Sequence, residues 1–359
     1  MNAHRHFDTI IIGGGQSGLA TAYHLRRYTS NYLILDNQPQ PGGAWQHGWD
    51  SLRLFSPAEA SSLPGWLMPS AQEGFPTRLE VITYLTQYEK RYNLPVLRPV
   101  QVETVEHHED MFVLHTNQGE YRTRTLICAT GNWSNPYWPY YPGQELFSGT
   151  QLHSAQYRSP DEFRGKKVLI VGAGNSAAQI LAEVSRVATT QWVTLDEPNF
   201  LPDEVDGRQL FQAATARYNA AQQDGSAPPP GGLETIVMVP SVKEARERDV
   251  LHARRPFISL LPDGVVWPDG TPETIDAIIW CTGFRPALHF LRPLGVVEED
   301  GKVATEGTRA SRQPGLWLVG YGGWTGFASA TLIGVNRSAR QTAGEVNEYL
   351  QKQAAPTTD

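Results

Sequence analysis

The chain has 359 residues, of which 40% are hydrophobic and 19% charged, so it is long enough for about two globular domains and falls outside the disordered and fibrous classes. The formal net charge of −7 is spread along the sequence without a cluster of Lys and Arg, which argues against nucleic acid as a partner. No apolar run reaches the roughly 18 residues of a membrane helix, and an apolar strand already begins near Phe7. We therefore expect a cytoplasmic protein with no membrane partner and no signal peptide.

The first distinctive pattern is a glycine turn between a strand and a helix. Residues 7–12 are apolar, residues 13–18 read Gly-Gly-Gly-Gln-Ser-Gly, and residues 19–28 have the pattern of a helix. A pyrophosphate at a helix N-terminus needs backbone N–H groups and a close approach that glycine permits. The next strand, residues 32–35, ends in Asp36, where an acid can bind the hydroxyls of an adenosine ribose. This pattern predicts a dinucleotide site.

A second copy of the pattern begins with the apolar residues 167–171. Residues 172–177 read Gly-Ala-Gly-Asn-Ser-Ala, and a helical pattern follows over residues 178–187. The strand predicted over residues 191–195 ends in Asp196 and Glu197, with no Arg or Lys beside them in the sequence. Because a 2′-phosphate would meet negative charge there, we expect NADH to be the cofactor and NADPH to bind more weakly.

Each copy is followed, at a similar interval, by hairpin-like segments and a strand that ends in Thr-Gly, at Thr130-Gly131 and Thr282-Gly283. We interpret this as a duplicated nucleotide-binding module. The fold class is therefore α/β, with two Rossmann-like domains that each carry a parallel sheet and a β-meander. Polar, proline-containing residues 156–165 suggest the boundary, which gives one domain of residues 1–158 and 285–359 and another of residues 159–284. Residues 226–232, with three consecutive prolines, are predicted to be a loop.

The two cysteines, Cys128 and Cys281, each end an apolar segment and form no CxxC pair. We expect two buried thiols. The absence of a paired cysteine argues against the dithiol reductases, which share much of this architecture.

The segment 147–157 fits the pattern FxGxxxHxxxY, with Phe147, Gly149, His153 and Tyr157 at its fixed positions. With this fingerprint just ahead of the second glycine turn, the chain resembles the class B flavin-containing monooxygenases over almost its whole length. The Baeyer–Villiger members end the fingerprint in tryptophan, whereas this chain has Tyr157. The resemblance implies a structural role for His153.

Two further segments match the same family. Residues 42–45 read Gly-Gly-x-Trp, and residues 75–78 read Phe-Pro-x-Arg. Thr77 and Glu80 also form the pattern of a helix capping box, so part of the second match has a purely structural explanation.

The resemblance implies that the first module binds FAD and the second a nicotinamide cofactor. NADH would reduce FAD, and the reduced flavin would take up O2 as a C4a-(hydro)peroxide that transfers one oxygen atom to a small-molecule substrate. Sulfides and amines are the expected substrates, and Baeyer–Villiger oxidation of ketones stays open, as does a homodimer. Two rival functions are a flavin-dependent NAD(P)H oxidoreductase of the disulfide-reductase type and a non-enzymatic FAD/NAD redox sensor.

The residues nearest the chemistry are expected to be the aromatic ones. Better-known members of the family have a Leu-x-Leu-Asn run that places an asparagine over the flavin, but residues 52–55 of this chain end in Phe55. Trp45, Phe55 and Trp324 are the predicted catalytic residues, because they can keep water from the flavin. Residues 320–326 lead into a predicted helix, residues 327–340, and the resemblance implies that the N-terminus of this helix faces the flavin.

The predicted cofactor contacts come from both modules, and no metal site is expected. They are Gly13, Gly15, Gln16, Ser17, Gly18, Asp36, Gly43, Trp45, Val102, Thr130, Gly131, Gly172, Gly174, Asn175, Ser176, Ala177, Leu195, Asp196, Cys281, Thr282, Gly283 and Phe327.

Overall fold

The computed structural model describes residues 5–209, 211–212, 215–216, 235–326 and 328–354. The chain divides into two compact units. The first unit contains the chain up to Gln46, the segment Pro57–Asn135 and the chain from Arg285 onward. The second unit contains His47–Ser56 and Pro136–Phe284. The predicted loop at residues 226–232 lies outside the described residues.

The first unit is built on a nine-stranded sheet. The strands are β1 (His6–Ile12), β2 (Tyr32–Leu35), β3 (Val96–Leu97), β4 (Val102–His108), β5 (Met111–Thr116), β6 (Gly119–Cys128), β15 (Thr305–Glu306), β16 (Arg309–Ala310) and β17 (Leu316–Leu318). The main path of the sheet runs β15-β16-β17-β6-β1-β2-β3, and the hairpin β4-β5 joins it through β6. The central pairs β17-β6, β6-β1, β1-β2 and β2-β3 are parallel.

The described residues of the first unit form three α-helices: α1 (Gln16–Leu25), α2 (Arg78–Arg91) and α5 (Val335–Ala354). The predicted capping box at the start of α2 is confirmed, because the Thr77 hydroxyl accepts a hydrogen bond from the Glu80 backbone and the Glu80 carboxylate accepts one from Thr77.

The strands of the second unit are β7 (Thr150–His153), β8 (Lys167–Val171), β9 (Thr189–Val193), β10 (Ala253–Arg254), β11 (Ser259–Leu261), β12 (Gly264–Val266), β13 (Pro272–Thr274) and β14 (Ala277–Trp280). They form a five-stranded parallel sheet in the order β10-β9-β8-β14-β7 and a separate three-stranded antiparallel sheet, β11-β12-β13. The α-helices of this unit with both ends among the described residues are α3 (Asn175–Val184) and α4 (Pro240–Glu247).

The predicted fold class is confirmed: each unit has a strand, a glycine turn, a helix and an antiparallel appendage in the same order. The buried middle of β8, which is 0–1% exposed from Val168 to Ile170, explains its continuous apolar run, since a central parallel strand is covered on both faces. Strand β1 is buried in the same way from Thr9 to Ile12.

The predicted boundary near residues 156–165 is wrong. Strand β7 (Thr150–His153) pairs with β14, and Leu152 lies in the core of the second unit, which therefore begins at Pro136. The short segment His47–Ser56 also belongs to this unit: Asp50 donates a backbone hydrogen bond to Arg158, and Arg158 donates to Gly48. The second unit ends at Phe284, the end predicted from the sequence.

The predicted helix over residues 327–340 is also wrong in its start, because α5 begins only at Val335. Gly326 and Ala328 have φ angles of 117° and 52°, which a right-handed helix cannot contain. The carbonyl oxygen of Thr331 then accepts a hydrogen bond from the backbone N–H of Val335, and the helix starts at Val335.

Candidate functional site

The first glycine turn, residues 13–18, is packed so tightly that two of its glycines have no room for a side chain. Gly13 has a φ of 110°, and a Cβ on it would lie 2.4 Å from the carbonyl oxygen of Ala129. A Cβ on Gly18 would lie 1.9 Å from the carbonyl oxygen of Gly13. Helix α1 follows directly, with Gly15 as its N-cap and no side-chain hydrogen bond at that cap. The first N–H groups of α1 are thus available to an anion.

Gly43 meets this turn backbone to backbone. It has a φ of 56°, and a Cβ on it would lie 2.7 Å from the Cα atom of Gly15. The space between Gly43 and Gly15, beside the N-terminus of α1, is called the cradle. A side chain at Gly43 would therefore fill this cradle. The donor set and the space fit a pyrophosphate, which needs N–H donors and close backbone approach.

Asp36 lies just beyond β2 and is only 4% exposed. Its Oδ2 atom accepts a hydrogen bond of 3.0 Å from Nε of Arg98. Gly14 borders the pair, since a Cβ there would lie 2.7 Å from Asp36 Oδ2. The structure thus brings the predicted ribose acid to the glycine turn, together with an arginine that sequence reasoning missed.

Gln16 connects three segments at the start of α1. Its Oε1 atom accepts a hydrogen bond of 3.1 Å from Nε1 of Trp45, and its Nε2 atom donates to the Ala330 carbonyl at 2.6 Å. The neighbouring Ser17 touches Gly320, where a Cβ would lie 2.0 Å from the serine oxygen. The predicted residues Trp45, Gln16 and Ser17 therefore lie together with the segment that returns after β17.

Thr130 and Gly131 follow β6 at the same end of the sheet. The Thr130 backbone N–H and hydroxyl both bond to the hydroxyl of Tyr321, at 3.1 and 2.7 Å. Burial raises the pKa of Tyr321 well above its usual value, so this hydroxyl keeps its proton. Val102, by contrast, lies in the hydrophobic core at 2% exposure, and its cofactor contact stays a prediction.

Trp324 is half-buried against Tyr321, with ring centroids 5.5 Å apart. Its carbonyl oxygen accepts a hydrogen bond from Thr305. Phe327 lies outside the described residues. The role of both aromatic residues near a flavin stays a prediction.

The second glycine turn, residues 172–177, repeats the packing of the first. Gly172 has a φ of 134°, and a Cβ on it would lie 2.2 Å from the carbonyl oxygen of Cys281. Gly174 is the N-cap of α3 and has open space where a Cβ would stand. Ala177 is fully buried, as expected of the third position. The Trp192 indole donates to the Gly172 carbonyl at 2.7 Å, a contact that no sequence pattern indicated.

The side chain of Asn175 is used within the protein. Its Oδ1 atom accepts the backbone N–H of Val237 at 2.9 Å, and its Nδ2 atom donates to Thr235. Its backbone N–H, like that of the half-buried Ser176 that follows it, lies in the first turn of α3, where a phosphate can bind.

Leu195 and Asp196 lie beyond the end of β9, which stops at Val193 rather than at Leu195. Leu195 is 74% exposed. The guanidinium of Arg255 lies 3.8 Å from the Asp196 carboxylate, because β10 runs parallel to β9 and ends beside it. No Arg or Lys stands beside Asp196 in the sequence, but the fold brings Arg255 to its carboxylate.

Thr282 and Gly283, beyond β14, are bonded to one backbone segment. The Thr282 hydroxyl donates to the Tyr137 carbonyl at 2.5 Å, and the Tyr137 N–H donates to the Gly283 carbonyl at 2.9 Å. Cys281 is buried, like Cys128 in the other unit, and burial raises the pKa of both thiols. The expected buried thiols are confirmed, and neither has the lowered pKa of a reactive cysteine.

The fingerprint residues pack inside the second unit. A Cβ on Gly149 would lie 2.4 Å from the ring of Phe147, and the Tyr157 hydroxyl donates to Glu183 at 2.9 Å. His153 is fully buried, and its Nδ1 atom accepts the backbone N–H of Ala155 at 3.1 Å. These contacts fit the structural role implied for His153.

Phe55 belongs to the second unit and is half-buried. Its carbonyl accepts the Gly207 N–H at 2.7 Å, and a Cβ on Gly207 would lie 2.5 Å from the phenyl ring. This packing gives Phe55 a structural role, and its place near a flavin stays a prediction.

The residues that the structure describes contain no group of three or more His, Cys, Asp or Glu side chains arranged to hold a metal ion. None of the described helices combines the length and the apolar character needed to cross a membrane.

Comparison with known proteins identifies relatives that span nearly the whole chain. A flavin-containing monooxygenase from Stenotrophomonas maltophilia is 50% identical, with a TM-score of 0.88 over 96% of this chain and 99% of that chain. The uncharacterized oxidoreductase CzcO of Bacillus subtilis is 29% identical over 350 residues, covering 95% of this chain and 99% of CzcO. The probable indole-3-pyruvate monooxygenase YUCCA1 of Arabidopsis thaliana is 26% identical over 385 residues, covering 97% of this chain and 92% of YUCCA1.

The profile of a family described as pyridine nucleotide-disulphide oxidoreductase matches residues 10–204, just over half of the chain. The resemblance found in the sequence is confirmed by this match and by the 50% identical monooxygenase. The chain therefore belongs to the pyridine nucleotide-disulphide oxidoreductase family and, within it, to the flavin-containing monooxygenases, which are oxidoreductases that use FAD and a nicotinamide dinucleotide.

Proposed function

We propose that the first unit binds FAD, that the second binds NADH in preference to NADPH, and that the enzyme oxygenates small soft nucleophiles such as sulfides and amines. The observation that carries the assignment of FAD is the meeting of Gly43 with Gly15 and of Trp45 with Gln16. The second turn has no comparable glycine pair among the described residues, since the space at Gly174 is open.

Individual residues of the first unit have separate tasks in this proposal. The N–H groups at the start of α1 bind the pyrophosphate, and the Asp36 carboxylate accepts hydrogen bonds from the hydroxyls of the adenosine ribose. Trp45 and Trp324 exclude water from the ring system. A bound FAD supplies the redox and oxygen-activating chemistry.

The preference for NADH depends on two opposed charges in the second unit. The Asp196 carboxylate repels a 2′-phosphate and accepts hydrogen bonds from free ribose hydroxyls. Arg255 lies 3.8 Å from that carboxylate and attracts the same phosphate. The pair is well exposed, so solvent weakens both effects, and we propose that NADPH is also used, with a higher KM.

Substrate selection depends on the shape of the pocket more than on the fold. Sulfides and amines are proposed because they are soft nucleophiles that accept an electrophilic oxygen atom. Ketones are the second candidate class. A 2-oxo acid belongs in the test panel because the relative YUCCA1 is named for activity on indole-3-pyruvate.

The proposal is tested with the purified protein. FAD content is measured from the visible spectrum, and the protein is then given methyl phenyl sulfide, O2 and either NADH or NADPH. We expect one FAD per chain, sulfoxide formation coupled to NADH consumption, and less H2O2 than sulfoxide. A colourless protein that takes up no added FAD would refute the proposal. Stoichiometric FAD with NADH oxidation but no oxygenated product from a sulfide, an amine, a ketone or indole-3-pyruvate would favour the reductase alternative.

A further inference from the structure

Asp36 and Arg98 are brought together by the register of two parallel strands. Leu35 at the end of β2 pairs with Leu97 at the end of β3, so the next residues, Asp36 and Arg98, lie side by side at the carboxyl edge of the sheet. The Asp36 N–H also donates to the Leu97 carbonyl at 3.0 Å. This edge is where dinucleotides bind in open α/β sheets.

The guanidinium of Arg98 bridges two carboxylates. Its Nε atom donates to Asp36 Oδ2 at 3.0 Å, and its two Nη atoms donate to both oxygens of Glu89 at 2.7 and 2.9 Å. The exposed fractions of the side chains are 10% for Arg98, 5% for Asp36 and 16% for Glu89. A bidentate arginine of this kind holds its partners in one orientation, which a lysine cannot do.

The bridge leaves half of the Asp36 carboxylate for another partner. Oδ2 is engaged by Arg98, whereas Oδ1 accepts a long hydrogen bond of 3.5 Å from the Gln38 backbone N–H. Gly14 lies against the engaged side, since a Cβ there would lie 2.7 Å from Asp36 Oδ2 and 2.9 Å from Arg98 Nη2. The carboxylate is therefore fixed against the glycine turn with one oxygen directed by the bridge.

We propose that Arg98 is a positioning residue for the adenosine ribose of FAD: it orients Asp36 and, through Glu89, anchors that orientation to α2. This inference rests on the proposed binding of FAD by the first unit. A buried ion pair contributes little net stability after its desolvation cost, so the bridge is better explained by the geometry that it imposes on Asp36.

The test is a double-mutant cycle on FAD affinity. Apoprotein is prepared from wild type, Arg98→Met, Asp36→Asn and the double variant, and the FAD dissociation constant is measured by quenching of flavin fluorescence. We expect Arg98→Met to weaken FAD binding about tenfold in the wild-type background and less than about threefold in the Asp36→Asn background, because contacting residues are energetically coupled. Near-UV circular dichroism and thermal unfolding establish that each variant is folded.

Two milder variants keep the test decisive if Arg98→Met does not fold. Arg98→Lys retains the charge without the fork and should weaken FAD binding several-fold, again only when Asp36 is present. Glu89→Gln removes the far anchor and should have a smaller effect than Arg98→Lys. The matched control is Arg246→Gln, which breaks a bidentate pair with Asp203 in the second unit and should leave FAD affinity unchanged.

The outcomes separate this inference from the proposed function. Equal FAD affinity in wild type and the Arg98 variants, or the same loss with and without Asp36, would overturn the positioning role while leaving FAD binding intact. A wild-type apoprotein that takes up no FAD would overturn both. A loss that disappears in the Asp36→Asn background supports the inference.

Discussion

The indole Nε1–H group of Trp45 donates a hydrogen bond of 3.1 Å to Oε1 of Gln16, the first residue of helix α1. Gln16 in turn donates to the Ala330 carbonyl at 2.6 Å. One amide therefore holds an aromatic ring, the start of a helix and a returning loop in a fixed arrangement. Trp45 is thus anchored at the first glycine turn rather than free to rotate at the surface.

Replacing Trp45 with Phe retains a flat ring but removes the donor to Gln16. We expect the unfolding free energy to fall by about 1 kcal/mol, the usual net value of a hydrogen bond. We also expect the H2O2 formed per NADH to rise several-fold, because a looser ring admits water to the flavin. Chemical denaturation and a peroxide assay during turnover measure the two effects. Trp66→Phe, outside the predicted cofactor contacts, serves as the control; equal peroxide yields in wild type and Trp45→Phe would contradict the role given to Trp45.

Gly43→Ala tests the backbone contact with Gly15. The new Cβ would lie 2.7 Å from the Gly15 Cα atom, and the residue would keep a φ of 56°, which costs an L-residue about 1–2 kcal/mol. We expect FAD affinity to fall about tenfold or more, measured as the flavin retained after gel filtration. Gly344→Ala in α5 is the control, because open space surrounds it; it should stabilise the protein by about 0.5–1 kcal/mol and retain FAD. Full flavin retention by Gly43→Ala would show that the cradle is not used.

Arg255→Gln tests which charge governs nicotinamide selection. Removing the guanidinium beside Asp196 should raise the KM for NADPH about fivefold, because an exposed cation attracts a phosphate modestly, and should leave the KM for NADH within about twofold. Steady-state kinetics with both cofactors at low and high salt measure this change, and the NADPH effect should shrink as salt screens the charge. A parallel change in both KM values would place Arg255 outside the 2′ position.

His153 predicts a pH dependence of stability. Burial lowers its pKa below the ordinary value of 6.5, partly opposed by the Gly283 backbone, so the unfolded chain binds more protons than the folded chain between the lowered pKa and 6.5. Its contribution is fully present above pH 6.5 and is lost as the pH falls through that window.

His153→Asn should flatten this part of the stability profile, since asparagine can still accept the Ala155 N–H but does not titrate. Urea denaturation of wild type and the variant from pH 7.5 to pH 5 measures the difference. Some slope will remain, because burial also lowers the pKa of His24, His47 and His107. His252→Asn at an exposed site is the control. An unchanged slope in His153→Asn would mean that His153 does not contribute to the pH dependence.

Local patterns in the sequence were sufficient for the duplicated architecture. Strands β2 and β8 have the predicted bounds, and each glycine turn precedes a helix, because alternation, apolar runs and glycine turns report on backbone conformation within a few residues. Gly13 packs against Ala129, and Gly172 packs against Cys281 in the same way. These matching contacts agree with the repeat that is visible in the sequence. The family fingerprint likewise identified the monooxygenase class before any contact was known.

Only the tertiary structure decided which distant residues lie beside Asp36 and Asp196. Arg98 reaches Asp36 through the pairing of β2 with β3, and Arg255 reaches Asp196 through the pairing of β9 with β10. The register of parallel strands joins residues that are far apart in sequence, and no local pattern encodes that register. The start of α5 also differs from the prediction: the side-chain pattern favours a helix from residue 327, but the left-handed backbone at Gly326 and Ala328 delays it to Val335.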